Sequence, residues 1–479
     1  MSLVSYGFFA FLAATAIAFH LHRSIAYRRL VLTVASAVFV ASYASSASEL
    51  LPLAAFVLLG YAAFAWVRRL RSNAALVVAI LAVLLSFIVL KRYWFTGMLG
   101  ILPFPYLTVG LSYILFRMLH VIIDACSGDI PERIAPLQFF RYTCNFLSFL
   151  SGPIQRYREF AASDGVEAAP LDDVRVYRAF SRIVTGYFKF VAVAAAADYL
   201  LINLKPQLLD LAVLGMLKSC LIYSLCAAAY TAYLYFNFSG YMDIVLGFGL
   251  LLGQHLPENF NRPFLARSFL EFWQRWHITL SEWFRDYLFN PLLMALMTRF
   301  PQRWLEAYLA VAAFFVTFLV MGLWHGTTLV FLIYGLLMGA GASVTKLWQV
   351  ACSARFGTRY RTLRQKTAYI YLARGLTFAY FTVALTCLWM PEPPAYLGLA
   401  HRLGVGGIGG AFVMLALGFA AAALGLDTLT SWFGRHEAKL RTVAEGFVYR
   451  NLSLAARILA VVAIGTLFNE PPEFVYKVF

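Results

Sequence analysis

Two histidines stand in an otherwise apolar neighbourhood. His277 lies in the densest polar stretch of the chain, NFNRPFLARSFLEFWQRWHITLSEWFRDYLFNPL over 259–292, and His325 ends an apolar run in FLVMGLWHG over 318–326. An imidazole with an ordinary pKa of about 6.5 stays neutral when buried and can take a proton from a hydroxyl nucleophile, which is the step acyl transfer to an alcohol requires. Neither a GxSxG elbow nor a Cys/His arrangement in this block offers a covalent Ser or Cys nucleophile, and no acidic partner lies near in sequence. On a continuous helix, Trp273, His277, Ser281 and Arg285 would stack on one face at intervals of four. Trp276, Leu280, Trp283 and Tyr287 would flank them. The same spacing also suits an interfacial aromatic belt with Glu271–Arg275 and Glu282–Arg285 pairs. A lone histidine on an apolar helix is commonly a satisfied core residue; two in one polar neighbourhood favour a general base.

The elements that must position these residues are membrane helices. The chain has 479 residues, 62% hydrophobic and only 13% charged, about half the charged share of a soluble globular protein. Stretches such as 4–19, 50–67, 74–90 and 305–324 approach the roughly 20 apolar residues that cross a bilayer. They recur along the whole chain, giving an all-α integral membrane protein of about 11–12 transmembrane helices plus re-entrant or interfacial helices, in one domain, 1–479. The first apolar run lacks a basic leader and reads as a retained helix. His22, Arg23, Arg28 and Arg29, then Arg68, Arg69 and Arg71, mark inner loops and place the N-terminus outside. An even number of crossings would put the C-terminus there too. Polar residues interrupt the apolar pattern too often over 237–303 for a lipid-facing helix, so this region is the expected interior. No internal repeat supports an inverted-repeat transporter plan. Lys and Arg outnumber Asp and Glu by 39 to 23, which in such a chain reports topology and anionic headgroups, not nucleic acid. The six scattered cysteines form neither a disulfide frame nor a zinc site.

The block PENFNRPFLARSFLEFWQRWHITLSEWFRDYLF followed by LWHG resembles the signature of the membrane-bound O-acyltransferase superfamily. SYILFRMLHVIID (112–124), SGPIQRYREF (151–160) and FNFSGYMDI (236–244) agree with it, so the resemblance covers about 112–345. The wording is nearest to the branch that D-alanylates teichoic acids, and next to the branch that O-acetylates alginate. The resemblance implies a ring of helices around a thin core, with His325 as the catalytic histidine and His277 as the second functional one. It implies no permanently bound cofactor. The donor would be a thioester on the phosphopantetheine arm of a cytoplasmic acyl carrier protein, and the acceptor an extracytoplasmic polymer or a downstream transferase, across a bacterial cytoplasmic membrane. The basic interface of Arg267, Arg275 and Arg285, with Ser281 and Trp273, is the expected meeting place for an acidic carrier.

The tail 469–479 ends in EFVYKVF, which resembles an F-x-Y-x-x-F motif of D-alanylation systems. On that resemblance Tyr476 would carry the acyl group between thiol and sugar, anchored by Phe474 and Phe479. Thiol, phenol and sugar hydroxyl form a rising series of pKa from about 8.5 through about 10, so each transfer runs downhill. The plainer alternative is an amphipathic tail at the interface. For the whole chain the alternative is a transporter or flippase for an envelope-polymer precursor. Loss of acyl groups with normal polymer export separates the two.

Overall fold

The computed structural model describes residues 6–93, 106–130, 133–164, 171–209, 215–435 and 447–467, and every named regular element among them is helical. Phe474, Tyr476 and Phe479 lie outside the described residues. Nine helices among the described residues are long and apolar enough to cross a membrane, and the protein is a multi-pass membrane protein. The sequence count of about twelve includes three shorter helices, α1 (Tyr6–Leu21), α2 (Ile25–Ala41) and α5 (Leu111–Ser127). Seventeen residues of helix span about 26 Å, short of the ~30 Å hydrocarbon thickness.

Contacts divide the chain, expected from sequence to be one domain, into two compact units. The first comprises Met1–Tyr187, Gly240–Glu258 and Glu473–Phe479. Its helices α3 (Leu51–Leu70) and α4 (Asn73–Lys91) are separated by two residues. Arg71 closes α3 in the left-handed conformation, and the Ser72 hydroxyl accepts from the Ala75 N–H at 3.1 Å to start α4. Both are familiar ways of satisfying helix ends.

Helix α5 is buried on nearly every side, Arg117 included at 1% exposure. That guanidinium donates to the carbonyl of Thr143 (2.9 Å), the last residue of α6 (Pro136–Thr143), and to that of Ser148 (2.6 Å) beyond it. Three residues on, His120 accepts from the Tyr157 N–H at 2.9 Å through Nε2 and meets Asp124 at 3.1 Å through Nδ1. Arg141 holds Asp164, at the end of α7 (Tyr157–Asp164), through two donors. Arg117, Arg141 and Asp164 thus each have a partner, as burial of a charge demands.

The second unit comprises Phe188–Ser239 and Asn259–Pro472. Helix α8 (Asp173–Tyr187) ends the first stretch of the first unit; after α9 (Ala195–Leu209) and α10 (Met216–Leu251), whose residues from Gly240 on count with the first unit, come three short helices, α11 (Phe269–Trp273), α12 (Ile278–Phe284) and α13 (Asn290–Arg299). Then α14 (Glu306–His325) and α15 (Leu329–Leu363) form a tight antiparallel hairpin. Gly322 and Gly335 face each other across it with no room for a Cβ on either, the close backbone approach that small residues permit between membrane helices. Helices α16 (Thr367–Ala384), α17 (Thr386–Trp389), α18 (Pro393–Arg435) and α19 (Phe447–Leu467) complete the unit. Ala379 packs on Leu415 and Ala416 between α16 and α18. Arg374 of α16 pairs with Asp427 at 2.6 Å and donates to the Leu265 carbonyl at 3.3 Å, which ties the polar block to this scaffold.

Candidate active site

The polar block does not form the continuous helix that its spacing suggests. Helix α11 ends at Trp273, and α12 begins only after His277, whose backbone is left-handed at φ 46°. Four non-glycine residues among those described have positive φ; Arg71 and Arg92 are helix C-caps, whereas Arg262 and His277 belong to this block. Such a conformation is uncommon for a residue with a Cβ and costs energy that the surroundings must repay.

The repayment comes from 259–261. Asn261 N–H donates to the Arg275 carbonyl at 3.0 Å, Phe260 and Trp276 form an antiparallel bridge, and Ile278 N–H donates to the Asn259 carbonyl at 3.0 Å. Asn259 is fully buried, and its Oδ1 accepts from the Thr279 N–H (3.1 Å) and from the Thr279 hydroxyl (2.7 Å). An amide twenty residues upstream therefore takes the donors that a continuous helix would have used internally. Trp273, His277, Ser281 and Arg285 do not share one helical face.

Three of those four nevertheless meet. Trp273, Ser281 and Arg285 line one cavity of about 290 Å³ with Glu282, Thr317 and Met321. The ring of Trp273 packs on Phe318 at 5.0 Å, and its buried Nε1–H has no hydrogen-bond partner among the described residues. Thr317, Met321 and His325 follow at intervals of four on α14, so the cavity runs along a face that ends in His325. Met321 lies one turn, about 6 Å, before it. After Arg285 the chain takes a π-helical turn, Arg285–Phe289, a distortion often found at functional sites.

Both histidines are buried, His277 at 1% and His325 at 7% exposure. His277 stands edge-on to Phe238, with ring centres 4.9 Å apart. His325 lies 4.7 Å from Trp324 and 5.4 Å from Tyr334, nearly perpendicular to the latter. Gly326 follows in extended conformation, and the Phe331 ring occupies the space a Cβ would need. Burial, reinforced by charge repulsion from nearby His325, holds the His277 imidazole well below its usual range. Burial thus disfavours the imidazolium form of His277.

The expected basic interface is largely neutralised. Glu271 accepts from Arg275 Nε and Nη2 at 3.1 and 3.0 Å, and its second oxygen accepts from the Arg267 backbone N–H at 2.9 Å. Arg285 pairs with Asp286 at 2.9 Å, where the spacing had suggested Glu282. Asn259, Glu282, Thr317 and Tyr334 are site residues that the sequence reading did not single out. Asn259 carried a signal in its place within the polar block, whereas Thr317 and Tyr334 sit in ordinary apolar spans. No group of three or more His, Cys, Asp or Glu among the described residues is arranged to hold a metal ion.

Similarity to known proteins bears on the same region. The pattern of MBOAT, the membrane-bound O-acyltransferase family, matches residues 125–385, more than half of the chain and inclusive of both histidines. Teichoic acid D-alanyltransferase of Bacillus subtilis (strain 168) is 34% identical over 233 residues, covering 48% of this chain and 56% of the relative. A probable alginate O-acetylase of Pseudomonas fluorescens is 33% identical over 253 residues, covering 51% and 46%. Teichoic acid D-alanyltransferase of Streptococcus thermophilus is 32% identical over 252 residues, covering 50% and 57%. The chain thus spans about half the length of the curated relatives it matches. With a helical membrane scaffold, two buried histidines and a family match across both, this chain belongs to the membrane-bound O-acyltransferase family.

Proposed function

We propose that the protein is an O-acyltransferase that moves a D-alanyl or acetyl group from a thioester to a hydroxyl of an extracytoplasmic envelope polymer. The observation that carries this reading is His325, buried at the end of α14 where the cavity-lining face of that helix terminates, with neutral His277 close by. His325 takes the proton of the attacking hydroxyl as its oxygen bonds to the thioester carbonyl carbon. The carbon–sulfur bond then breaks, and the imidazolium returns its proton to the departing thiolate. His277 supports this step by disfavouring a resting charge on the pair. The thioester is borne on the phosphopantetheine arm of an acyl carrier protein at the cytoplasmic face of a bacterial inner membrane. Its acyl group leaves toward the outer face, where both termini lie.

Replacing His325 by Ala removes only the proton-transfer group. We expect transfer from a thioester to fall by about 10² to 10⁴-fold while the protein remains inserted and folded. Wild-type levels of acylated polymer in that variant would end the assignment.

In this scheme the first attacking hydroxyl is that of Tyr476, as the F-x-Y-x-x-F pattern of the tail suggests; a polymer hydroxyl then attacks the tyrosyl ester, the bond to the Tyr476 oxygen breaks, and the phenolate takes up the proton that the polymer hydroxyl gave up. Tyr476→Phe should then stop polymer acylation, and mass spectrometry of wild-type protein starved of acceptor should find one acyl group on its C-terminal peptide. Full activity in the Phe variant means direct transfer from thioester to polymer.

A further inference from the structure

We propose that the crevice between α3 and α4 binds one anionic phospholipid, with an acyl chain between the helices and the phosphate at Lys91 and Arg92. Only Arg71 and Ser72 join the two helices, which holds them together at that end. At the other end, where Leu51 begins α3 and Lys91 ends α4, a cavity of about 560 Å³ lies between them. It is lined by residues of α3 from Leu51 to Leu59 and of α4 from Leu85 to Leu90, and every lining side chain but that of Ser86 is apolar. Leu51 to Leu59 covers about 12 Å of helix axis, a depth that admits a large part of a fatty acyl chain. Leu51 and Leu85, 63% and 61% exposed, open the crevice toward the hydrocarbon, while Phe56 and Leu90 are buried at its base. Without an occupant, these walls would forfeit their dispersion contacts.

The mouth of the crevice is cationic. The Tyr106 hydroxyl donates to the carbonyl of Leu90, a lining residue, at 3.0 Å. Arg92 lies over the Tyr106 ring, 4.7 Å from its centre, and donates from Nε to the same hydroxyl at 3.1 Å. A left-handed backbone at φ 54° closes α4 at this arginine, so the guanidinium is fixed just beyond the groove. Its Nη donors are unengaged among the described residues, and Lys91 has neither an ion pair nor a side-chain hydrogen bond there. Glu49, the carboxylate beside the start of α3, accepts from the Ser45 N–H at 2.9 Å and pairs with neither cation.

An apolar slot beneath two cations that lack acidic partners complements an anionic amphiphile. A soluble anion would leave the slot empty, and a zwitterionic lipid would bring a cation of its own to the mouth. The forked donors of a guanidinium suit phosphate oxygens in particular. On the orientation proposed above, Lys91 and Arg92 stand at the outer face, where Lys and Arg are scarce in membrane proteins. A bound phosphate accounts for two adjacent ones there, although the binding itself does not depend on that orientation. Two such cations at an anionic headgroup are worth on the order of tenfold to thirtyfold in affinity.

The test is native mass spectrometry of the full-length protein in neutral detergent, offered equal amounts of phosphatidylglycerol and phosphatidylcholine with the same acyl chains. Wild type should retain one phosphatidylglycerol, preferred about tenfold or more over phosphatidylcholine. The double variant Lys91→Gln, Arg92→Gln should lose that preference yet still retain a lipid, because its crevice is intact. Ala55 lines the crevice and is exposed, so Ala55→Phe puts a ring into the slot and should abolish retention with both cations in place. Ala54→Phe, on the neighbouring exposed position outside the lining, should behave as wild type. Equal retention of the two lipids by wild type overturns the proposal, as does a preference that survives in the double Gln variant. A lipid held as tightly by Ala55→Phe as by wild type also overturns it, since that lipid would sit elsewhere on the surface. None of these readouts requires acyl transfer, so the proposal stands or falls apart from the enzymatic reading.

Discussion

Two buried histidine sites in this molecule look alike in sequence and differ in kind. In the first unit His120 uses both ring nitrogens: Nε2 accepts from the Tyr157 N–H, which leaves the proton on Nδ1 facing Asp124. In the second unit His277 and His325 are walled by Phe238, Trp324 and Tyr334, and the helix face leading to His325 lines a cavity. The first histidine joins chain segments. The second pair is enclosed by aromatic rings, and the cavity that follows α14 reaches Met321, one turn before His325. Burial alone does not distinguish structural from chemical histidines; what adjoins the ring does.

The comparison can be broken from either side. Arg117→Ala removes a fully buried guanidinium and strips two carbonyls of their donor, at about 1 to 3 kcal/mol for each unsatisfied group. Melting of the purified variant in detergent should reveal a large loss of stability before any catalytic constant is measured. If the variant melts like the wild type, the first unit is not held by this network.

Replacing His277 should do the reverse. His277→Ala should lower kcat by roughly 10²-fold through misplacement of the reacting groups and change melting less than Arg117→Ala does. Equal activity in variant and wild type would remove His277 from the site and leave His325 to act alone.

The smallest change sharpens the role of the cavity. Trp273→Phe keeps an aromatic ring against Phe318 and deletes only an N–H that has no hydrogen-bond partner among the described residues. Folding should be untouched. If the cavity holds the donor, KM for the thioester should rise by about fivefold, the worth of one hydrogen bond of ~1 kcal/mol. No change in KM would mean that the indole merely fills space.

Much of this was legible in the sequence, for identifiable reasons. Apolar runs report their own environment, so the helices could be read directly; the interior character expected over 237–303 fails at α13, which buries no residue. His325 was visible because it ends such a run. The break before α12 was not visible, because Trp273, His277, Ser281 and Arg285 satisfy helical spacing perfectly well. The decision rests with Asn259, whose amide competes for the Thr279 donors from twenty residues away. The setting of Arg117 was not visible either, because the carbonyls that solvate its charge belong to Thr143 and Ser148, more than twenty residues away.

The seam between Gly322 and Gly335 sets a tolerance for the chemistry. His325 is three residues beyond Gly322, and Tyr334, which contacts its ring, directly precedes Gly335. The contact that fixes the spacing of the hairpin is thus also the reference point from which the imidazole is placed. A single added methyl group at either glycine must push the two helices apart, and a shift of about 1 Å in a reacting group can cost 10²-fold in rate. Residues that never touch a substrate can in this way be as intolerant of substitution as the catalytic base.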